Sequence, residues 1–546
     1  MKYRNKLVKY ASFFLPALSL LICYPAHPCP AAQALDGRAS TAGSAPANGQ
    51  ISIIPRPLKM ERGEGEFVLS AETVILAAEG TESAAEFLAG RLAPATGFGF
   101  QVKPLTGSPE RQNSIVLRIE PALNSLGPEG YSLQVLENRI MISASSPAGI
   151  FYGCQSLRQL LPPAIESREK MDNLRWSIPS LKIEDSPRFA WRGFMLDCSR
   201  TFQSVEYLKR NIDLLSLYKL NVFHLHLTDD QGWRVAIERY PELTAIGARF
   251  PERWHKPGGF YTRAELAGLV DYAARRNVRI VPEIEMPGHS LAALACHPEL
   301  SCSGGPFEIY PFFQGPGIQE NIFCAGKEAT FEFLENILKE VADIFPGEYI
   351  HIGGDEAPKA AWKKCPDCQA RIRAAGLKDE EELQSYFIRR IEKVLMKYDR
   401  RLIGWDEILQ GGLAPEATVM SWRGMEGGVA AAKAGHAVIM SPTSHCYLDY
   451  THEETPVEKS YAFEPVPASL SPDKARHILG LQGNMWTHIA TDEPAVDRQV
   501  FPREIALAEA AWTAPELRDW PDFSRRLAEN LKRLDALGVG YYGKTP

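Results

Sequence analysis

From residue 191 onward one pattern repeats along the chain. A short, nearly continuous apolar run is followed by a longer stretch with apolar residues at helical spacing. The runs are RGFMLD (192–197), NVFHLHL (221–227), VRIVPEI (278–284), YIHIGG (349–354), RLIGW (401–405), TVMSW (418–422), AVIMS (437–441) and ILGLQGNMW (478–486). SVEYLKRNIDLLSLYK, after the first run, shows the helical spacing. Strands that are apolar on both faces and alternate with helices predict a parallel sheet covered on both sides. Eight such units over residues 187–546 predict a (β/α)8 TIM barrel.

Upstream the period changes. YSLQV and RIMISA alternate apolar and polar residues on either side of LEN, which predicts a β-hairpin, and GIFYGCQSLRQLL predicts a helix. Residues 51–186 therefore read as a small α+β domain preceding the barrel. No acid/base cluster stands out there, so a non-catalytic, structural role is expected. Residues 35–50 (LDGRASTAGSAPANGQ) are small and polar, the composition of a linker.

The first 34 residues have a different composition. Lys2, Arg4, Lys6 and Lys9 precede an apolar run from Ala11 to Cys23, and small residues around Ala32-Gln33-Ala34 follow. This predicts a cleaved signal peptide and an exported protein, periplasmic or extracellular. The apolar run is too short to span a bilayer, so no stable membrane insertion is expected. The net charge of −7 becomes −7 − 4 = −11 without the leader. With no long Lys/Arg run either, this excludes nucleic acid as the natural partner class.

Export permits disulfides among the eight cysteines that remain after Cys23 and Cys29 are removed. Cys302 and Cys324 flank a Gly/Pro-rich loop and form the best candidate pair. Cys365-Pro-Asp-Cys368 has redox or zinc spacing. No second such motif or His pair lies nearby in sequence to complete a tetrad, which leaves a local disulfide or free thiols. Cys154, Cys198 and Cys446 sit in apolar surroundings and read as buried small residues.

In a (β/α)8 barrel the active site forms at the C-terminal strand ends. Those ends carry Asp197 to Arg200, Asp229-Asp230, Glu283, Glu285, His289, Asp355-Glu356, Trp405-Asp406-Glu407, Trp422, Tyr447, Asp449 and Trp486. Carboxylates beside an Arg, a His and three indoles suit carbohydrate chemistry, with apolar sugar faces on indoles and hydroxyls on charged groups. His224 and His226, spaced i, i+2, share a face of the second strand. That is a metal-ligand spacing, but no His ends the fifth or sixth strand, so a packed or hydrogen-bonded pair is expected and no metal.

The ordered motifs RGFMLDCSR, NVFHLHLTDDQGW, VPEIEMPGH, HIGGDE, GWDEI, MSWRG and GNMWT, with IIPRP upstream, together resemble the family 20 glycoside hydrolases, the β-N-acetylhexosaminidases. The resemblance covers about residues 51–530. It implies an exo-acting retaining enzyme that removes terminal β-linked GlcNAc or GalNAc, in which the substrate's own 2-acetamido oxygen is the nucleophile, with no cofactor. Alternatives are a disaccharide-releasing enzyme of the same family and a non-catalytic carbohydrate-binding barrel.

The same resemblance assigns roles by position. Glu356 is the general acid and base. Asp355 orients the acetamide N–H, and Tyr447 donates to its carbonyl. Arg200 grips the 3- and 4-hydroxyls, while Asp229 and His289 support proton cycling. Trp405, Trp422 and Trp486 wall the pocket, and Asp449 reaches the 4- or 6-hydroxyl. Where many members carry a Glu two residues after the last Trp, this chain has His488. Arg192, at the start of the first strand, is expected to hold structure.

Overall fold

Alternation becomes a two-sided strand in the first domain. In the computed structural model, which describes residues 51–106, 111–254, 256, 258–315 and 317–543, Tyr131–Leu136 buries every second residue. It pairs antiparallel with Arg139–Ala144, which is the hairpin expected around LEN. The leader expected over 1–34 and the linker expected over 35–50 lie outside the described residues. The sheet has seven strands in the order Lys59–Val68, Ser177–Asp185, Tyr131–Leu136, Arg139–Ala144, Ser114–Ile119, Val74–Ala77, Gln101–Pro104. Helices Glu82–Thr96 and Pro147–Leu160 pack on it and on each other. The second starts cleanly because Ser146 Oγ accepts from Ala148 N–H and Pro147 takes the first turn, where no N–H is needed.

The eight apolar runs form the eight strands of a closed barrel. In chain order these are Trp191–Asp197, Val222–His226, Arg279–Met286, Tyr349–Gly353, Arg401–Trp405, Thr418–Ser421, Val438–Met440 and Ile478–Met485. All pairings are parallel, and the eighth strand closes on the first. Nearly every strand residue is buried because both faces are covered. Trp191, Val222, Val281, Tyr349, Ile403, Met420 and Ile439 fill the interior. Outward residues such as Phe194, Phe223, Ile350 and Ile352 pack on helices including Val205–Leu217 and Glu328–Ile344. Ser204 caps the first of these by accepting from Tyr207 N–H at 3.1 Å. Among the described residues no helix is long and apolar enough to cross a membrane.

The two domains join at the N-terminal ends of the barrel strands through buried charge. Asp185 accepts from Lys219 Nζ (2.9 Å), Tyr131 Oη (2.7 Å), Trp512 Nε1 (2.9 Å) and Leu58 N–H (3.0 Å). Lys219 and Asp185 are both shut off from solvent. Arg192 is fully buried, as its structural reading requires. It donates to Glu129 across the junction (2.7 Å) and to the Lys219 carbonyl (2.8 Å). Removing one member of a buried pair strands the other in a low-dielectric interior. Asp185→Ala is therefore expected to cost about 3–5 kcal/mol of unfolding free energy, read by urea denaturation. An unchanged midpoint would show that the junction is not held this way.

Candidate active site

All eleven residues singled out by sequence line one pocket of about 230 Å³ at the C-terminal rim of the barrel, joined by Glu285 and Tyr450. Arg200 follows the first strand. Asp229 sits in a short ribbon, Thr228–Asp229 against Gly232–Trp233, after the second. His289 follows the third strand and Asp355-Glu356 the fourth. Trp405 ends the fifth, and Trp422 follows the sixth. Tyr447 and Asp449 come after the seventh, where Tyr447 bridges to Asn484 of the eighth. Trp486 and His488 close the ring.

The HIGGDE segment shows why its residue types are needed. Gly353 and Gly354 take φ of 68° and 87°, a left-handed region costly for side chains. A Cβ on Gly353 would also run into the Glu285 carboxylate. Glu356 itself holds φ 42° and His289 holds φ 47°. Strained non-glycine backbone of this kind persists where surrounding structure enforces it. The sharp turn leaves Asp355 inside and Glu356 nearer the mouth, with side chains 11% and 32% exposed.

His289 ties the two carboxylates together. Its Nε2 lies 3.5 Å from Asp355 Oδ2 and 3.5 Å from Glu356 Oε2, and its Nδ1 lies 3.2 Å from Asp229 Oδ1. Burial disfavours an imidazolium here, but the charges of Asp229 and Asp355 outweigh it, and the His289 pKa stands well above its ordinary value. Asp229 in turn accepts from Arg200 Nη2 (2.7 Å) and meets His226 Nε2 at 2.8 Å. Burial would raise its pKa, yet Arg200 and His289 hold it well down. A continuous line of charged groups thus runs from Glu283 through His226, Asp229 and His289 to Glu356.

Glu283 accounts for the His224/His226 pair. Its carboxylate meets His224 Nε2 at 3.1 Å, His226 Nδ1 at 2.5 Å and His351 Nδ1 at 2.7 Å, and accepts from Trp405 Nε1 at 2.9 Å. The pair is hydrogen-bonded through an acid, as expected. Burial lowers the His224 pKa to about 4, while Glu283 and Asp229 overcome burial and raise that of His226 to about 9. Glu283 therefore fixes one wall of the pocket (Trp405) and one end of the charged line.

Four aromatic rings make a continuous wall. Trp405 and Trp486 have centroids 6.0 Å apart, Trp486 and Tyr447 6.4 Å, and Tyr447 stacks on Trp422 at 6.0 Å. Trp422 Nε1 donates to Glu407 (2.9 Å), which locks its plane. Arg200 lies over the Trp486 ring at 4.9 Å. Burial and the Asp449 charge push the Tyr447 pKa well up, so its hydroxyl remains a donor.

Against this wall sit buried polar atoms without a hydrogen-bond partner among the described residues: Arg200 Nη1, Asp355 Oδ1, Asp449 Oδ1 and His488 Nδ1. Buried polar atoms are almost always satisfied. Several orphans facing one cavity mark where a polyhydroxylated ligand completes the bonding. Burial, then the Arg200 charge, lowers the His488 pKa and keeps the ring neutral. Burial raises Asp449 to about 7.

Two acids have a larger place here than the sequence indicated. Glu285, seen in sequence as one of several strand-end acids, lines the pocket, and neither of its oxygens has a hydrogen-bond partner among the described residues. Burial and the charges of Asp355 and Glu283 raise its pKa well above normal, which favours its protonated form. Burial and Asp355 likewise raise Glu407 to about 8. The signal for Glu285 was its position two residues after Glu283, on the same strand face. Tyr450, three residues after Tyr447 and 39% exposed, carried no such signal.

The comparisons agree with this architecture. The family description "Glycosyl hydrolase family 20, catalytic domain" matches residues 189–515, and "Glycosyl hydrolase family 20, domain 2" matches residues 50–186. A beta-hexosaminidase of Porphyromonas gingivalis is 43% identical over 91% of this chain, which spans 65% of that relative's length. A beta-N-acetylhexosaminidase of Cellulomonas fimi is 34% identical, with 90% of this chain and 96% of the relative covered. The solved beta-N-acetylhexosaminidase of Streptomyces coelicolor superposes with a TM-score of 0.79 at 34% identity, covering 90% of this chain and 97% of its own. A mutant Streptomyces plicatus beta-hexosaminidase in complex with product (GlcNAc) gives 0.79 at 33%, covering 90% and 96%. On matches of this extent over both domains, the chain belongs to glycosyl hydrolase family 20.

Proposed function

We propose that the protein is an exo-acting, retaining β-N-acetylhexosaminidase that removes terminal β-linked GlcNAc or GalNAc through an oxazolinium intermediate formed by the substrate's own acetamide. The observation that carries this reading is the state of the pocket's acids. A retaining enzyme with its own nucleophile needs an ionised carboxylate about 5 Å across the bond from the acid. Of the other acids around the pocket, Glu285 and Glu407 are both pushed toward the protonated form, and Asp229 is taken up by Arg200, His226 and His289. The relatives' names and the GlcNAc product complex support the same substrate class.

In this reading Tyr447 donates to the acetamide carbonyl and Asp355 accepts from its N–H. The carbonyl oxygen is then aimed at the anomeric carbon and made more nucleophilic. Glu356, nearer the mouth, protonates the departing glycosidic oxygen. It then takes a proton from the water that opens the oxazolinium ring, and two inversions give retention. His289, held cationic between Asp229 and the pair, moderates the repulsion between adjacent carboxylates. Arg200, Asp449 and neutral His488 supply unsatisfied donors and acceptors for ring hydroxyls. The basic, apolar N-terminus supports export within the same proposal.

Hydrolysis of an aryl β-GlcNAc glycoside and the matching β-glucoside tests the reading. Cleavage of only the first supports it, and equal cleavage of both contradicts it. The pH profile adds a second test. Burial and the charges of Glu283 and Glu356 raise Asp355 to about 6 against the opposing charge of His289. Asp355 works ionised, so kcat/KM, which reports the free enzyme, is expected to fall about tenfold per unit below about pH 6. A profile flat down to about pH 4, the ordinary carboxylate range, would count against this role for Asp355.

A further inference from the structure

Two cysteine pairs that are distant in sequence meet beneath the catalytic loops. Cys302 and Cys324 come from the long segment after the third barrel strand. Cys365 and Cys368 flank the start of helix Pro366–Ala375, after the fourth. The sequence pairing of Cys302 with Cys324 gives way to a four-cysteine cluster in which all the sulfurs lie within 4.8 Å of one another. No sequence neighbour completed the tetrad because its halves are brought together by adjacent barrel loops.

The spacing discriminates between two chemistries. Cys302 to Cys368 is 3.7 Å, Cys324 to Cys365 is 3.7 Å, and Cys324 to Cys368 is 3.5 Å. Disulfide sulfurs lie about 2.05 Å apart. Four thiolates around a zinc ion at about 2.3 Å stand at the corners of a tetrahedron with edges of about 3.8 Å. The observed separations are close to those edges.

The surroundings suit bound metal. Cys324, Cys365 and Cys368 are buried. The Gly326 backbone N–H hydrogen-bonds the Cys324 sulfur, the kind of outer contact that orients a thiolate ligand. A Cβ at Gly326 would clash with the backbone of Asp367 and Cys368, so only glycine lets this loop approach the second cysteine pair. Pro366 starts the helix immediately after Cys365 and sets the turn between the pair.

We propose that Cys302, Cys324, Cys365 and Cys368 bind one structural Zn²⁺ as a tetrathiolate. The ion would join the loop that carries His289 to the segment that follows Asp355 and Glu356. The same two segments are already linked by Trp362 Nε1, which donates to the Phe323 carbonyl (2.9 Å), while Phe323 N–H donates to the Pro287 carbonyl within the first of them (3.0 Å). The closed sulfur shell leaves no position for substrate, so the role is structural.

The test uses the full chain purified without reductant or chelator. Elemental analysis is expected to give about one zinc per chain, falling to none in the Cys365→Ser/Cys368→Ser double variant. Because that variant can fail to fold, two measurements use the unmodified chain. Growth in cobalt should give the intense visible bands of tetrahedral cobalt(II) thiolate. After unfolding in chelator, all four clustered thiols should react with a thiol reagent without prior reduction. Zinc-free protein whose four thiols appear only after reduction would overturn the proposal in favour of disulfides, and iron in place of zinc would overturn the choice of metal.

Discussion

Glu356→Gln is expected to lower kcat/KM, which reports the step in which the leaving group departs, by about 10²–10⁴-fold on a glycoside with an alkyl or sugar leaving group, the usual worth of a positioned general acid. The loss should shrink on aryl glycosides with acidic phenols, which depart without a proton. This dependence on the leaving group is the specific signature. Gln keeps the shape and the φ 42° backbone of residue 356, so a uniform loss across leaving groups would point to a misplaced loop rather than a missing proton. Substrate binding should change little, because in the proposed reading the ring hydroxyls fall to Arg200, Asp449 and His488, which follow other strands.

Asp355→Asn is expected to behave differently. The loss should be about 10²–10³-fold, the scale of removing one preorganised group that stabilises developing charge. It should be the same for good and poor leaving groups, because Asp355 acts on the nucleophile and not on the departing oxygen. Burial and negative neighbours raise the Asp355 pKa. Its ionised form is therefore disfavoured in the fold, and that cost appears as pH rises through the unfolded value and on to about 6. At neutral pH the Asn variant should melt no earlier than wild type. Lower activity with equal or higher thermal stability would place this carboxylate at a functional site kept at the expense of stability. A large drop in stability would contradict that account.

The barrel was legible because its strands are apolar on both faces and separated by helices that alternate with them. That pattern has few other folds, and all eight runs became barrel strands. The candidate pocket was legible because strand C-termini converge in this fold, so Asp355-Glu356 and three tryptophans distant in sequence had to share a rim. What stayed hidden depends on three-dimensional contact. Nothing local to Glu283 says that it binds three histidines and a tryptophan. Nothing local to Glu285 says that full burial and two other carboxylates raise its pKa. The cysteine tetrad was missed for the same reason, because spacing rules look along the chain while adjacent barrel loops bring together residues 41 to 66 positions apart. His488 was visible as a departure from the family pattern, but its lowered pKa follows only from its burial and the neighbouring Arg200.

The central claim is that the substrate supplies the nucleophile, and varying that nucleophile tests it most directly. A series of aryl glycosides would carry acetyl, fluoroacetyl, difluoroacetyl and trifluoroacetyl groups on the 2-amino nitrogen. Each fluorine withdraws electrons from the carbonyl oxygen without changing the leaving group. The account predicts that kcat falls at every step of the series. A rate indifferent to fluorination, together with a sugar covalently attached to Glu407 or Glu285, would contradict it.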